Sequence, residues 1–458
     1  MTTFSLEEIT RVLGVEPAGG GSPAGIARGV STDSRTIQEG ELFVSIRGKN
    51  FDGNRFAAEA LSRGAAAAVV EQPPEGASRP VWKVPDGLKA LGKLARFHRD
   101  RFSPDLIAIT GSSGKSTTKA MLAHLLSGSR HLLATPGTQN NRVGVPLTLF
   151  RLEAGHQAAV LELGTNRWGE IRTLTEICRP TAGAVINIGP AHLETFGDLR
   201  GVLRAKAEMW EGMEPAAPLV LNGDDPLLAK AGSRLRRKVV WFGTGPAAEV
   251  RATEIRMEPL GSSFRLNGEW EVRLPVPGRH NVMNALAALA CAKVLGIDLP
   301  EAAERLISFV PLPGRLNLIE RDGLLILDDS YNGNPASFAA ALQVMREIPR
   351  PGGRKGVALG DMLELGKEAE ALHAEAGRKV VEHRADLFIT VGRLSRAALA
   401  AAKEAGLAAD AGRSFDTPEQ AGEFLAGFLR SGDLLLVKGS RGTQMERVLG
   451  CFTTFSTR

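Results

Sequence analysis

Short apolar runs alternate along most of the chain with stretches whose apolar positions recur every three or four residues, the pattern of strands handing over to helices. Near the start, Ser5-Leu6-Glu7-Glu8 forms a capping box, and Leu6, Ile9, Val12 and Leu13 follow at helical spacing. Residues 42–46 predict a strand, 57–70 a helix then a strand, 81–84 a strand and 87–100 a helix. Ser103-Pro104 interrupts the helical pattern and sets a first boundary. Beyond it, residues 106–109, 158–163, 184–188 and 219–221 are apolar runs of the kind buried on both faces of a parallel sheet. Residues 239–242 and 250–274 alternate without helices and predict a small antiparallel sheet. An alanine-rich helix is expected over 281–295, and Pro311-Leu312-Pro313-Gly314 marks a second boundary. In the last segment, 324–327, 356–359, 387–391 and 434–437 predict strands each followed by a helix, the pattern of a doubly wound domain. The expected fold class is α/β in three domains, residues 1–103, 104–312 and 313–458.

A length of 458 residues agrees with three domains at the usual size of about 100–200 residues each. The longest apolar runs, such as 65–70, fall far short of the ~20 residues of a membrane helix, so no membrane insertion is expected. The first 16 residues lack the basic-then-apolar order of a signal peptide. The three cysteines, Cys178, Cys291 and Cys451, are isolated, which excludes a disulfide framework and points to the reducing cytoplasm. The net charge of +5 is spread without like-charge blocks, and one Tyr with five Trp leaves few stacking platforms. Nucleic acid is therefore not an expected partner, and small anionic substrates are.

Residues 106–109 run into Thr110-Gly111-Ser112-Ser113-Gly114-Lys115-Ser116-Thr117. In a strand–loop–helix setting the glycines let backbone N–H groups close on phosphate at a helix N-terminus. Lys115 can then reach the β/γ-phosphates and Ser116 can bind Mg²⁺. Ile109 stands where the longer P-loop pattern has glycine. Glu162 ends a strand, where a carboxylate either holds Mg²⁺ or is simply solvated. His192 lies in a loop after another strand, as a metal or phosphate contact or a structural histidine. Asp198 caps a helix whose apolar stripe, Leu199, Val202, Leu203, Met209 and Trp210, also passes through Lys206. Two readings of Lys206 stand: snorkelling to water, or a desolvated amine able to take up CO₂ as a carbamate. His280, Asn281 and Asn284 open the alanine-rich helix, as caps or as contacts to an adenine edge. Arg315, at the second boundary, is placed to clamp a γ-phosphate, and Asp328-Asp329-Ser330-Tyr331-Asn332 ends a strand at a ligand edge.

Together these residues, with Asn140-Asn141-Arg142-Val143-Gly144-Val145-Pro146, resemble the Mur ligase family over nearly the whole chain. The family's short P-loop begins Gly-x-x-Gly-Lys, which accounts for Ile109. Residues 161–166, 191–197, 328–335, 359–366 and 438–442 are similar to the branch that adds D-alanyl-D-alanine; an Asp-Asn-Pro-Arg motif of the diamino-acid-adding branch is missing. The resemblance implies an N-terminal domain binding a UDP precursor, a central P-loop ATPase domain, and a C-terminal Rossmann-like domain binding D-alanyl-D-alanine. It implies ATP-dependent joining of the dipeptide to UDP-N-acetylmuramoyl-tripeptide through an acyl phosphate, by a cytoplasmic monomer. Lys115, His192, Lys206 and Arg315 become catalytic. Gly111, Ser112, Ser113, Gly114, Lys115, Ser116, Thr117, His280, Asn281, Asn284, Arg315 and Asp329 become ATP contacts. Ser116, Glu162, His192 and a Lys206 carbamate formed from CO₂ become ligands for two Mg²⁺. Thr32, Asp33, Ser34, Arg35, Asn140, Asn141, Asn332, Asp361, Lys438 and Arg441 become substrate contacts. The stretch 48–56 also resembles the UDP-binding domain, but Asn54 and Arg55 depart from the commoner His and Asp, so neither carries a contact. A related ligase, such as the diamino-acid-adding enzyme or a folylpolyglutamate synthetase, and a non-catalytic ATP-binding module are the competing readings.

Overall fold

The computed structural model describes residues 2–18, 25–48, 51–258, 261–349 and 352–453, so Lys49 and Asn50 of the 48–56 stretch lie outside the described residues. The chain divides into two compact units: residues up to Thr110 with Leu126–Ala184 and Ala207–Leu219, and Gly111–Leu125 with Val185–Lys206 and Val220–Arg458.

The first unit opens on the helix Leu6–Leu13, and its capping box is formed by Ser5 and Glu8. Four short parallel strands, Val30–Ser31, Leu42–Val44, Ala67–Val70 and Val81–Lys83, pair in chain order. On one face Phe43, Ala68, Val70 and Val81 pack with Ile37, Ala57, Ala60 and Leu61, and Ala67 and Val69 of the other face are equally inaccessible. Asp86 caps the helix Gly87–Arg99 through the Lys89 N–H. Asn54 is structural: its Oδ1 accepts from Ser45 Oγ and from the Glu71 and Gln72 N–H groups, tying three loops together. Further along, Leu132–Ala134, Ala158–Glu162 and Asp105–Thr110 run parallel, with Ala158–Glu162 in the middle.

In the second unit, Val239–Gly243 pairs in parallel with Val250–Glu258. Val250–Glu258, Gly261–Leu266 and Trp270–Leu274 follow as antiparallel hairpins. The expected small antiparallel sheet thus spans the strands from Val250 to Leu274, and Val239–Gly243, expected in it, joins by a parallel pairing instead. The alanine-rich helix Arg279–Val294 is buried all round from Ala285 to Ala292, which explains why it has no polar stripe.

The C-terminal sheet has the order Asn317–Arg321, Leu324–Asp329, Leu434–Lys438, Lys355–Gly360, Leu387–Val391, Gly412–Phe415. All pairs are parallel except the first. Both edge strands were absent from the sequence expectation; they are short and only half-buried, so their apolar signal is weak. The last strand in sequence inserts between two earlier ones, which sets Asp329 and Leu359 on either side of Lys438 at one sheet end. Among the described residues no helix is long and apolar enough to cross a membrane.

Candidate functional site

The strand Asp105–Thr110 turns through Gly111–Gly114 into the helix Lys115–Ser127. Two glycines are needed there. A Cβ on Gly111 would meet Ile186 at 2.5 Å, and Gly114 has φ +77° with Asn284 Oδ1 where its Cβ would lie. Asn187 braces the turn from outside: its Oδ1 accepts from the Ser112 and Ser113 N–H groups, each at 3.0 Å, and its Nδ2 donates to Ser113 O. Ser112 Oγ donates to Gly189 O at 2.9 Å. Lys115 Nζ folds back onto Gly111 O at 2.8 Å. Ser116 and Thr117 are buried in the first helical turn.

Arg315 reaches this loop and donates from Nη2 to Ser116 Oγ at 3.0 Å. Its guanidinium also lies over the Tyr331 ring, 4.3 Å from the centroid, with Arg441 5.4 Å from the same ring. The linker turn that presents Arg315 is held by Asp328, whose Oδ2 accepts from the Gly314 N–H at 3.0 Å.

His192 has φ +51° and opens the short helix Leu193–Phe196. Its Nδ1 lies 3.0 Å from Glu364 Oε2. Burial lowers its pKa, the Glu364 carboxylate opposes this, and the charges of Lys206 and Lys115 add to the lowering. His192, Lys206 and Lys115 therefore share one electrostatic neighbourhood. Lys206 is 2 % exposed, with Val202 and Ala205 fully buried beside it. The structure thus excludes snorkelling: the amine is held inside.

Asn281 and Asn284 are buried. Asn281 Nδ2 donates to Pro277 O, Asn284 Nδ2 donates to Asn281 Oδ1, and Thr118 Oγ1 donates to Asn284 Oδ1. Asn284 thus stands beside Gly114 of the P-loop, and Asn281 holds its carboxamide in place. Next to them, His280 is held neutral, since burial pushes its imidazole down to about 4. In the C-terminal domain Lys438 is 1 % exposed and forms an ion pair with Asp329, while donating to Asn332 O at 2.9 Å. Burial raises the Asp329 pKa, against the pull of Lys438 and Arg315. Asp361 Oδ1 accepts from the Ser395 N–H at 2.8 Å, at the start of a helix. Arg441 pairs with Glu446 at 2.7 Å and remains exposed.

In the first unit, Glu162 is 1 % exposed and Asn140 Nδ2 donates to its Oε1 at 2.8 Å. Asn141 Oδ1 accepts from the Val143 and Gly144 N–H groups, a local turn that starts the helix Gly144–Leu149. Thr32 is half-buried, Ser34 is buried and Asp33 pairs with Arg35 at 2.7 Å, which lowers the exposed Asp33 carboxyl to about 2.

Family models cover this chain in three blocks: the Mur ligase family catalytic domain over residues 27–99, the Mur ligase middle domain over 109–292, and the Mur ligase glutamate ligase domain over 314–441. The chain belongs to the Mur ligase family. Among Mur ligases it is similar to the UDP-N-acetylmuramoyl-tripeptide–D-alanyl-D-alanine ligase of Escherichia coli, 36% identical over 98% of both chains. The enzyme of that name from Bacillus subtilis is 34% identical over 93% of both. The crystal structure of MurF from Acinetobacter baumannii superposes with a TM-score of 0.90, at 34% identity over 98% of both chains. MurF from Thermotoga maritima, solved in complex with ADP, gives 0.84 at 30% identity, over 93% of this chain and 97% of that one.

The family resemblance did not single out Asn187, Asp328, Tyr331 or Glu364 for the bonds seen here. Asn187 and Glu364 do fall in the stretches that hold His192 and Asp361, five and three positions away, and their polar character in those loops was the available signal.

Proposed function

We propose that this Mur ligase is the ATP-dependent enzyme that joins D-alanyl-D-alanine to UDP-N-acetylmuramoyl-tripeptide, working as a cytoplasmic monomer. Full-length likeness to enzymes of that name supports the substrates. The observation that supports the chemistry is Arg315 on the P-loop hydroxyl of Ser116, which sets a guanidinium against the loop proposed to hold the phosphates. In this reading residues 1–103 bind the UDP precursor through the turn Thr32, Asp33, Ser34 and Arg35. Residues 104–312 bind ATP, and residues 313–458 bind the dipeptide near Asn332, Asp361, Lys438 and Arg441.

A carboxylate is a poor acceptor for an amine and must be activated. The terminal carboxylate oxygen of the tripeptide attacks the γ-phosphorus, the bond to the bridging oxygen breaks, and ADP leaves behind an acyl phosphate. The dipeptide amine then attacks the acyl carbon. Phosphate departs with the former carboxylate oxygen, and the amine gives up a proton. Lys115 and Arg315, released from Gly111 O and Ser116 Oγ, stabilise charge on the moving phosphoryl group. The P-loop backbone orients the β-phosphate, with Asn187, Asn281 and Asn284 keeping the loop rigid. Neutral His280 offers its ring to the adenine, and Asp329 holds Lys438 beside it.

The donor set fits Mg²⁺. In this reading Ser116 and Glu162 would each offer a hard oxygen, and Asn140 donates to Glu162 Oε1. Glu364 on Nδ1 leaves Nε2 of His192 as its ligating atom. Lys206 would complete the set as a carbamate: its buried Nζ, after losing one proton, would attack CO₂, an N–C bond forming as a second proton leaves, so that a cation becomes an anionic oxygen donor. Mg²⁺ when bound offsets the repulsion between carboxylate and triphosphate. Phosphate release tests the proposal. It should require ATP, the UDP-tripeptide and D-alanyl-D-alanine together; release when a diamino acid replaces the dipeptide would overturn it.

A further inference from the structure

His131, Glu153 and His156 gather just before two neighbouring strands, Leu132–Ala134 and Ala158–Glu162. Their ligand atoms lie within 4.8 Å of one another. The two imidazoles stack with centroids 4.4 Å apart and planes 10° from parallel. The backbone under them is fixed on both sides. His131 N donates to Gln157 Oε1 at 3.1 Å, and Gln157 N donates to His131 O at 2.9 Å. Residue 155 is glycine, and a Cβ there would stand 3.1 Å from His131 Nδ1, crowding that ring. The loop between Glu153 and His156 closes on itself through His156 N to Glu153 O at 3.0 Å and Glu153 N to His156 Nδ1 at 3.1 Å.

We propose that His131, Glu153 and His156 form an accessory site for a borderline divalent transition ion such as Zn²⁺ or Ni²⁺. Two imidazoles with one carboxylate favour such ions over Mg²⁺, whose sites are built mainly from oxygen donors with at most an occasional imidazole. Stacked rings direct their lone pairs side by side, so binding requires each ring to turn about its Cβ–Cγ bond. For His156 the turn releases one ordinary hydrogen bond, that from the Glu153 N–H. The two rings need no fold-wide change to serve, because their backbones are already locked.

The test is titration of the metal-stripped full chain with ZnCl₂ and NiCl₂ in excess MgCl₂, which keeps hard-oxygen sites filled. Wild type should bind one equivalent more than the His131→Ala/His156→Ala double variant. Zn²⁺ should raise the melting temperature of wild type and leave that of the variant unchanged. A Glu153→Gln variant, with the carboxylate removed and both rings kept, should bind more weakly than wild type. Equal stoichiometry in wild type and double variant would overturn the proposal, as would displacement of the extra equivalent by Mg²⁺. Circular dichroism of both variants identifies a misfolded one, and Glu153→Gln then decides the matter. Ligase activity should be unchanged in all of them.

Discussion

Lys438 offers a sharp quantitative test of how the C-terminal domain is held. Its amine is buried, pairs with Asp329 across adjacent parallel strands, and donates to Asn332 O. Lys438→Met keeps the stem and removes the charge. It leaves Asp329 as a buried carboxylate facing no cation on its own sheet partner, and leaves Asn332 O without its donor. Breaking one side of a buried pair costs about 3–5 kcal/mol. At about 2–4 °C per kcal/mol for a domain of this size, the melting temperature should fall by roughly 6–20 °C. Asp329 already has a raised pKa because of burial, and losing Lys438 raises it further. A group whose folded pKa is raised contributes its stability below the unfolded value and loses it as pH rises through the folded value. The deficit in Lys438→Met should therefore shrink on acidification toward pH 4 and be largest at neutral pH. The double variant Lys438→Met/Asp329→Asn should regain most of the loss, since no lone charge remains. Differential scanning calorimetry of the four proteins closes the cycle. A single variant melting within about 2 °C of wild type, or a double variant no more stable than the single one, refutes the reasoning.

Lys206→Ala should abolish turnover, with a short carboxylate such as acetate restoring part of it by replacing the missing anion; a fully active variant would remove the carbamate from the account. Gly114→Ala forces a left-handed φ at a cost of about 1–2 kcal/mol and collides with Asn284, so affinity for ADP should fall at least about tenfold while the melting temperature drops only slightly. Isothermal titration checks it, and wild-type ADP affinity would contradict it. His98 is buried against Phe102 and Phe150, donates from Nε2 to Leu152 O at 2.9 Å, and its Nδ1 has no hydrogen-bond partner among the described residues. Burial lowers its pKa, so its contribution is present above the unfolded value of about 6.5 and is lost as pH falls. His98→Phe should lose less stability than wild type between pH 7.5 and 5.5, read as urea midpoints; identical pH profiles would refute it.

The main strands and helices were legible because burial on both faces leaves continuous apolar runs, as in Ala158–Glu162 and Leu434–Lys438. The edge strands Asn317–Arg321 and Gly412–Phe415 were not, since half-buried short strands carry no such run. For the site, sequence spacing placed Lys206 on the buried stripe, and the structure keeps it there. It could not supply partners. Arg315 and Ser116 are 199 residues apart, and Asn187 lies 75 from the Ser112 whose N–H it accepts. It also could not say which side of a helix a polar residue serves. Asn281 and Asn284 read as caps or adenine contacts, and the structure adds a link that spacing could not supply: Asn284 accepts from Thr118 Oγ1 and donates to Asn281 Oδ1.

The central claim is that the tripeptide carboxylate is phosphorylated before the amine attacks, and the fate of its oxygens tests this directly. With ¹⁸O in the terminal carboxylate of the UDP-tripeptide, and ATP and D-alanyl-D-alanine unlabelled, the account predicts one ¹⁸O in each phosphate released, read by mass spectrometry. Unlabelled phosphate, with both carboxylate oxygens accounted for elsewhere, would contradict it.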